Sequence, residues 1–131
     1  MFNVRNTASG IRYAKANVNN VNGVILLPDD WSTNTHSLSN TNNGDASFSS
    51  NTLTASQWNT LEQAGAVFLP AAGFRDETLV FDVDSYGIYW SASYRSSDYA
   101  YGVYFFDGRI GTGDWCLRYD GQSVRLVCPA E

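Results

Sequence analysis

Side chains suited to covalent chemistry are sparse and badly placed in this sequence. A Ser or Cys nucleophile needs a base within hydrogen-bond reach. The one histidine, His36, sits in Asn34-Thr35-His36-Ser37, which has the composition of a solvated loop. Glycoside hydrolysis needs two carboxylates flanking a sugar. Asp29, Asp30, Glu62, Asp76, Glu77, Asp82 and Asp84 are available, but no spacing sets a pair apart. Asp29-Asp30-Trp31 reads as a capped turn that buries its tryptophan. A metal needs more ligands than His36, Cys116 and Cys128 supply. The two cysteines are open to two readings, a pair of thiols or a disulfide closing a last hairpin. No glycine-rich phosphate loop or calcium-loop pattern occurs. The expectation is a non-enzymatic binding module with no catalytic residue, cofactor or metal.

Recognition chemistry is concentrated instead in residues 86–119. Of the eight tyrosines all but Tyr13 lie there, and the stretch has no Lys, Glu, Gln, Asn, Met, His or Pro. Tyr, Ser, Gly and Asp are the residues of adaptable binding surfaces: Tyr offers large contact area with few torsions to freeze, and small polar residues add hydrogen bonds. Arg95 and Arg109 add forked donors and planes for stacking. In Tyr101–Phe106 the strand period of two puts Tyr101, Val103 and Phe105 on one face and Gly102, Tyr104 and Phe106 on the other. Either both faces are buried, or the first set faces the core and the second is a solvent-exposed contact surface.

The elements that must carry this stretch can be sketched from patterning. A chain of 131 residues suits one domain. Gly23–Pro28 reads as a short buried strand ended by proline, and residues 32–52, rich in Ser, Thr and Asn, as a long surface loop. Thr54-Ala55-Ser56-Gln57 is a capping box opening a short helix to about Ala64, with Trp58 and Leu61 inward and Gly65 ending it. Ala66–Pro70 and Leu79–Val83 read as further buried strands. A meander follows: Ile88–Ala92, Tyr101–Phe106, a segment near 109–118, and Ser123–Cys128, with turns at Asp107-Gly108 and Asp120-Gly121. The Ser123–Val127 part is expected to be a central strand with alternate residues inward, close to the N-terminal segment. One short helix, antiparallel strands and long loops give an α+β fold. A net charge of −5 argues against nucleic acid, which needs a basic footprint. No apolar run approaches membrane-spanning length, so no direct membrane insertion is expected. No signal peptide is visible in this chain.

Several segments together resemble the variable proteins of bacterial and phage diversity-generating retroelements. They are Gly23–Trp31, Gly65–Arg75, Gly87-Ile88-Tyr89-Trp90-Ser91, Ala100-Tyr101 and Ser123–Val127. The wider group includes undiversified surface and lipoprotein-type domains of gut Bacteroidetes. The resemblance implies a C-type lectin-like fold across residues 1–131, with a variable region at about 86–120. It implies an extracellular, cell-surface or phage-particle location, and an unknown protein or glycan ligand on a cell surface. Diversification there acts on template adenines, chiefly in AAY asparagine codons, which cannot yield Lys, Glu, Gln, Met or Trp. By position, the resemblance assigns ligand contact to Ile88, Tyr94, Arg95, Asp98, Tyr99, Gly102, Tyr104, Phe106, Arg109, Gly111, Asp114, Tyr119 and Asp120. It assigns Tyr89, Trp90, Ser91, Ala100, Tyr101, Val103, Phe105, Gly108, Arg118, Gly121 and Ser123–Val127 to scaffold. Asp114-Trp115 lacks the calcium motif of sugar-binding lectins. Formylglycine-generating enzymes have a related fold, but their paired active-site cysteines have no counterpart here.

Overall fold

In a computed structural model the described residues are 10–34 and 36–126, without the side chains of 113–115. The first hairpin is β1 (Tyr13–Val18) and β2 (Val21–Leu26), antiparallel from Tyr13↔Leu26 to Val18↔Val21. Its two turn residues, Asn19 and Asn20, both have positive φ, 49° and 67°. Such a turn matches the twist of a hairpin, and asparagine enters the left-handed region more readily than most residues. β3 (Thr52–Leu53) adds to β1 in parallel and β4 (Val67–Pro70) to β2 antiparallel, giving the order β3-β1-β2-β4.

Helix α1 (Ala55–Gln63) lies between β3 and β4 in sequence. The Thr54 hydroxyl accepts from the Gln57 N–H while the Gln57 side chain accepts from the Thr54 N–H, so the expected capping box is present. Gly65 follows with φ +91°.

The four-stranded sheet is covered on both faces. Ala16, Val18, Ile25 and Leu27 pack with Leu61 of α1, Trp31 and Leu53 on one side. Val24 and Leu69 pack with Phe48, Tyr89 and Phe105 on the other. Burial on both faces explains the uninterrupted apolar run Val24–Leu27. Residues 32–52 form mostly loop, as expected, but the loop ends in a 3₁₀ turn at Phe48–Ser50 that drives Phe48 into this second core.

The second core is closed by a three-stranded meander, β7 (Tyr86–Tyr94), β8 (Tyr99–Phe106) and β9 (Arg109–Leu117). A separate ribbon of β5 (Phe74–Asp76) and β6 (Leu79–Phe81) precedes it. The architecture is therefore mixed α+β, mostly sheet with one short α-helix among the described residues. Among the described residues no helix is long and apolar enough to cross a membrane.

Three expectations are corrected. β6 is not a buried strand: Leu79, Val80, Phe81 and Val83 are all exposed, because the ribbon is two-stranded and lies outside both cores. The described part of the expected Ser123–Val127 strand, residues 123–126, is not a central strand. Only Ser123 joins a sheet, through a parallel bridge to Tyr89, while Val124, Arg125 and Leu126 are exposed. Val127 and Cys128 lie outside the described residues, as does the N-terminal segment 1–9. Asp120-Gly121 is accordingly no hairpin turn; Gly121 exchanges N–H···O bonds with Arg75 (2.7 and 2.8 Å) and bridges the meander to β5. Alternation within apolar segments could not reveal these differences, since it does not say which neighbour a strand finds. β1 and β5 were not expected at all.

Candidate functional site

Strand alternation divides the meander into two faces. Gly87 and Tyr89 of β7, Val103 and Phe105 of β8, and Ile110 of β9 turn toward the second core. Phe105 is fully buried, edge-on to Phe48 (6.3 Å) and stacked near Tyr89 (6.1 Å). Gly87 makes this possible, since a Cβ there would lie 2.1 Å from the Phe105 ring. The Tyr89 hydroxyl donates to Pro70 O of β4 at 2.8 Å, tying the two sheets together. Burial pushes the Tyr89 phenol up, against a Ser123 side-chain hydrogen bond and Arg125, which pull it down.

The opposite face carries, in cross-strand rows, Tyr86–Phe106–Arg109, Ile88–Tyr104–Gly111 and Trp90–Gly102. Of the expected contact residues, Ile88, Gly102, Tyr104, Phe106, Arg109 and Gly111 thus share one side of one sheet, and Asp114 pairs with Gly102 in its backbone register. The Asp114 side chain lies outside the description. Tyr86 and Phe106 stack at 4.9 Å, with Tyr104 6.2 Å from each and nearly parallel to both. The Arg109 guanidinium lies 5.4 Å from the Tyr104 ring centre, a cation–π contact.

Tyr104 does not stand out in solvent as expected. It is 8% exposed, because Gly111 leaves room for its ring to lie against β9, where a Cβ would come within 2.2 Å of it. Tyr86, Phe106 and Arg109 then pack around it. The outer face is thus a self-packed aromatic layer and not a row of free side chains. Trp90, expected in the scaffold, stands on this face and is partly buried. Tyr86 was not singled out from the sequence, although it continues the Ile88 and Trp90 alternation by one step.

The remaining expected residues do not join this layer. Tyr94, Arg95 and Asp98 are exposed at the far end of the meander, Tyr94 at 70%. Tyr99 alternates with Tyr101 toward the inner face, and Arg95 stacks over Tyr101 at 5.6 Å. Tyr99 and Phe106 are about 23 Å apart along β8 at ~3.3 Å per residue. Tyr119 is exposed and Asp120 lies beside the ribbon, where partial burial first and Asp76 second push its carboxyl above the usual range. The expected single contiguous patch is therefore two patches at opposite ends of one sheet. Cys116 pairs with Ala100 near the second of these and is half-buried.

The turn between β8 and β9 is anchored from the scaffold. Lys15 of β1 is fully buried, and its ammonium donates to Phe106 O at 2.6 Å and Gly44 O at 2.8 Å. Burial pushes its pKa below the ordinary lysine range, against the upward pull of Asp107 and Asp45. Asp107 accepts from the Phe48 N–H at 2.7 Å and the Ser47 hydroxyl at 3.2 Å. Phe106 and Arg109 flank this anchored turn. Among the described residues no cluster of three or more His, Cys, Asp or Glu could hold a metal. No known protein family matches the chain, and neither a curated protein nor a solved structure matches it.

Proposed function

We propose that the chain is a ligand-binding domain of C-type lectin-like fold that recognises a protein or glycan on a cell surface through the outer face of its three-stranded meander. The observation that carries this reading is the gathering of Ile88, Gly102, Tyr104, Phe106, Arg109 and Gly111 on the sheet face turned away from both cores. Aromatic area, an arginine fork and glycine gaps are what such a face needs. Phe106 and Arg109 are the central contacts. Tyr94 and Tyr119 extend the reach at the other end. An undiversified adhesin or lipoprotein domain is the alternative with the same fold, and an enzyme of the formylglycine-generating fold is a remote one.

The test is a screen of the intact chain against a glycan array and a cell-surface protein library, beside a Phe106→Ser, Arg109→Ser variant. A ligand is expected that the variant loses while still unfolding cooperatively, its midpoint lowered by the lost stacking on Tyr86 and Tyr104, and with no effect of chelator. A ligand that binds both proteins alike would refute the assignment to this face. A near-repeat of the coding region for 86–127 beside a reverse transcriptase gene is expected if the surface is diversified; its absence favours the adhesin.

A further inference from the structure

The β5–β6 ribbon is a second surface, independent of the meander face, and it leaves a strand edge open. Arg75 uses both its N–H and its C=O on Gly121, so these groups point away from β6. Arg75↔Val80 is then a non-hydrogen-bonded pair, and the Val80 N–H and C=O must point outward, away from β5. No hydrogen bond to the Val80 backbone occurs among the described residues. Left-handed residues at both ends, Glu77 (φ 51°) and Asp82 (φ 55°), fix the strand as a short, defined edge.

The side chains along this edge are apolar and exposed: Leu79 is 61% exposed, Val80 51% and Phe81 40%. Soluble proteins usually blunt such edges with lysine, proline or a covering element. Here the edge is instead bordered by carboxylates, Asp76 and Glu77 at one end and Asp82 and Asp84 at the other, all exposed. Asp120 adds a fifth beside Asp76. This arrangement argues against a second copy of the chain. A two-fold antiparallel pairing centred on Val80 would set Asp76 and Glu77 of each copy against Asp82 and Asp84 of the other, at both ends. Like charges placed opposite each other are destabilising.

We infer that the β6 edge is a docking site for an extended protein segment with an apolar centre and lysine or arginine at its flanks, added as a further strand. Reciprocal bonds at Val80 set its register, Leu79 and Phe81 meet its apolar side chains on one face and Val80 on the other, and the bordering carboxylates select basic flanks.

Fluorescence anisotropy on the intact chain tests this with a labelled peptide of alternating valine and threonine bearing lysine pairs at both ends. The comparison peptide has glutamate pairs in their place. The lysine-ended peptide is expected to bind more tightly by on the order of tenfold or more, and added salt should shrink the difference. Val80→Pro, which removes the outward N–H at an edge position that tolerates proline, should abolish binding with the unfolding midpoint held. Asp76→Lys should weaken the lysine-ended peptide, and it serves as the test if the proline variant does not fold. Equal binding of the two peptides, or full binding by a folded Val80→Pro chain, overturns the proposal. So does a dimer in sedimentation equilibrium that Val80→Pro dissociates, which would give the edge to a second copy.

Discussion

In residues 10–59 asparagine side chains stand in for missing sheet ladders, whereas in residues 86–119 tyrosine and phenylalanine rings pack onto glycines. Asn42 accepts from the Arg12 and Tyr13 N–H groups and donates to Gly10 O. Buried Asn51 donates to Lys15 O and Ser39 O and accepts from Ser39 N–H. The Asn22 side chain donates to Asp84 O, while the Asp84 carboxylate accepts from the Asn22 backbone N–H. The amide side chain suits this work because it both donates and accepts, as the backbone does. The meander has its own ladder and needs no such fasteners. Its side chains serve packing on the inner face and presentation on the outer one, and Gly87 and Gly111 set how closely the rings approach. The compositional split along the chain is thus a division between holding loops and building a surface.

Phe105 and Tyr104 are adjacent residues on opposite faces of β8, and they give the largest test of that division. Phe105→Ala should cost about 3–5 kcal/mol, as for a fully buried large aromatic, because it opens the core between the sheets. Tyr104→Ala should cost less, about 1.5–3 kcal/mol, because its ring lies on the outer face, against Gly111 and under the part-exposed side chains of Tyr86, Phe106 and Arg109. Denaturant unfolding of both variants measures the two losses. A loss for Tyr104 as large as for Phe105 would make the outer layer a third core and remove its freedom to vary. No loss at all would mean that Tyr104 swings out into solvent.

The fastening half predicts a smaller effect of different origin. Asn51→Ala removes three hydrogen bonds at a buried site and leaves Lys15 O, Ser39 O and Ser39 N–H to find new partners. Each buried group left unpaired costs about 1–3 kcal/mol, less where water enters. A total near 2 kcal/mol is expected from equilibrium unfolding, with faster amide exchange at Ser39. An unchanged stability would mean that the loop is held by Phe48 and not by its amides.

Much of the scaffold was legible because it follows local rules. The capping box at Thr54 and Gln57, the left-handed Gly65 and the doubly buried Val24–Leu27 each follow from a few neighbouring residues. The turn at Gly108, with φ +77°, is equally local. The hairpin turn Asn19-Asn20 was also readable in principle, since two asparagines between valines are a two-residue turn signal. The two faces of Tyr101–Phe106 also followed from alternation, although the register of its neighbours did not. What could not be read is non-local. Nothing in Leu79–Val83 says that its sheet partner among the described residues is β5 alone, and nothing in residues 123–126 says that a single bridge to Tyr89 replaces a strand. The burial of Tyr104 depends on Gly111, seven positions away and on another strand. Exposure of a candidate contact residue therefore has to be measured across the sheet and cannot be inferred from its own strand.

The smallest effect lies where the meander leaves off and the ribbon begins. Asp120 is partly buried, and burial first and Asp76 second push its carboxyl above the usual range. A raised carboxyl holds its proton more tightly in the folded chain than in the unfolded one. Its contribution to stability is therefore fully present below the ordinary carboxylate range and is lost as pH rises through the folded value. At neutral pH the ionised Asp120 beside Asp76 is a net cost to folding. Asp120→Asn removes that charge and leaves the local turn intact, because the hydrogen bond there runs from the backbone N–H of residue 120 to Leu117 O. The variant should melt slightly higher than the parent at neutral pH and no higher in acid, where the parent carboxyl is already protonated. Added salt should narrow the neutral-pH difference, since both carboxylates are near solvent. Thermal melts of both proteins across that pH range decide the matter. A lower midpoint for Asp120→Asn at neutral pH would mean that the carboxylate has a favourable partner, and the acidic border of the β6 edge would then lose one of its charges.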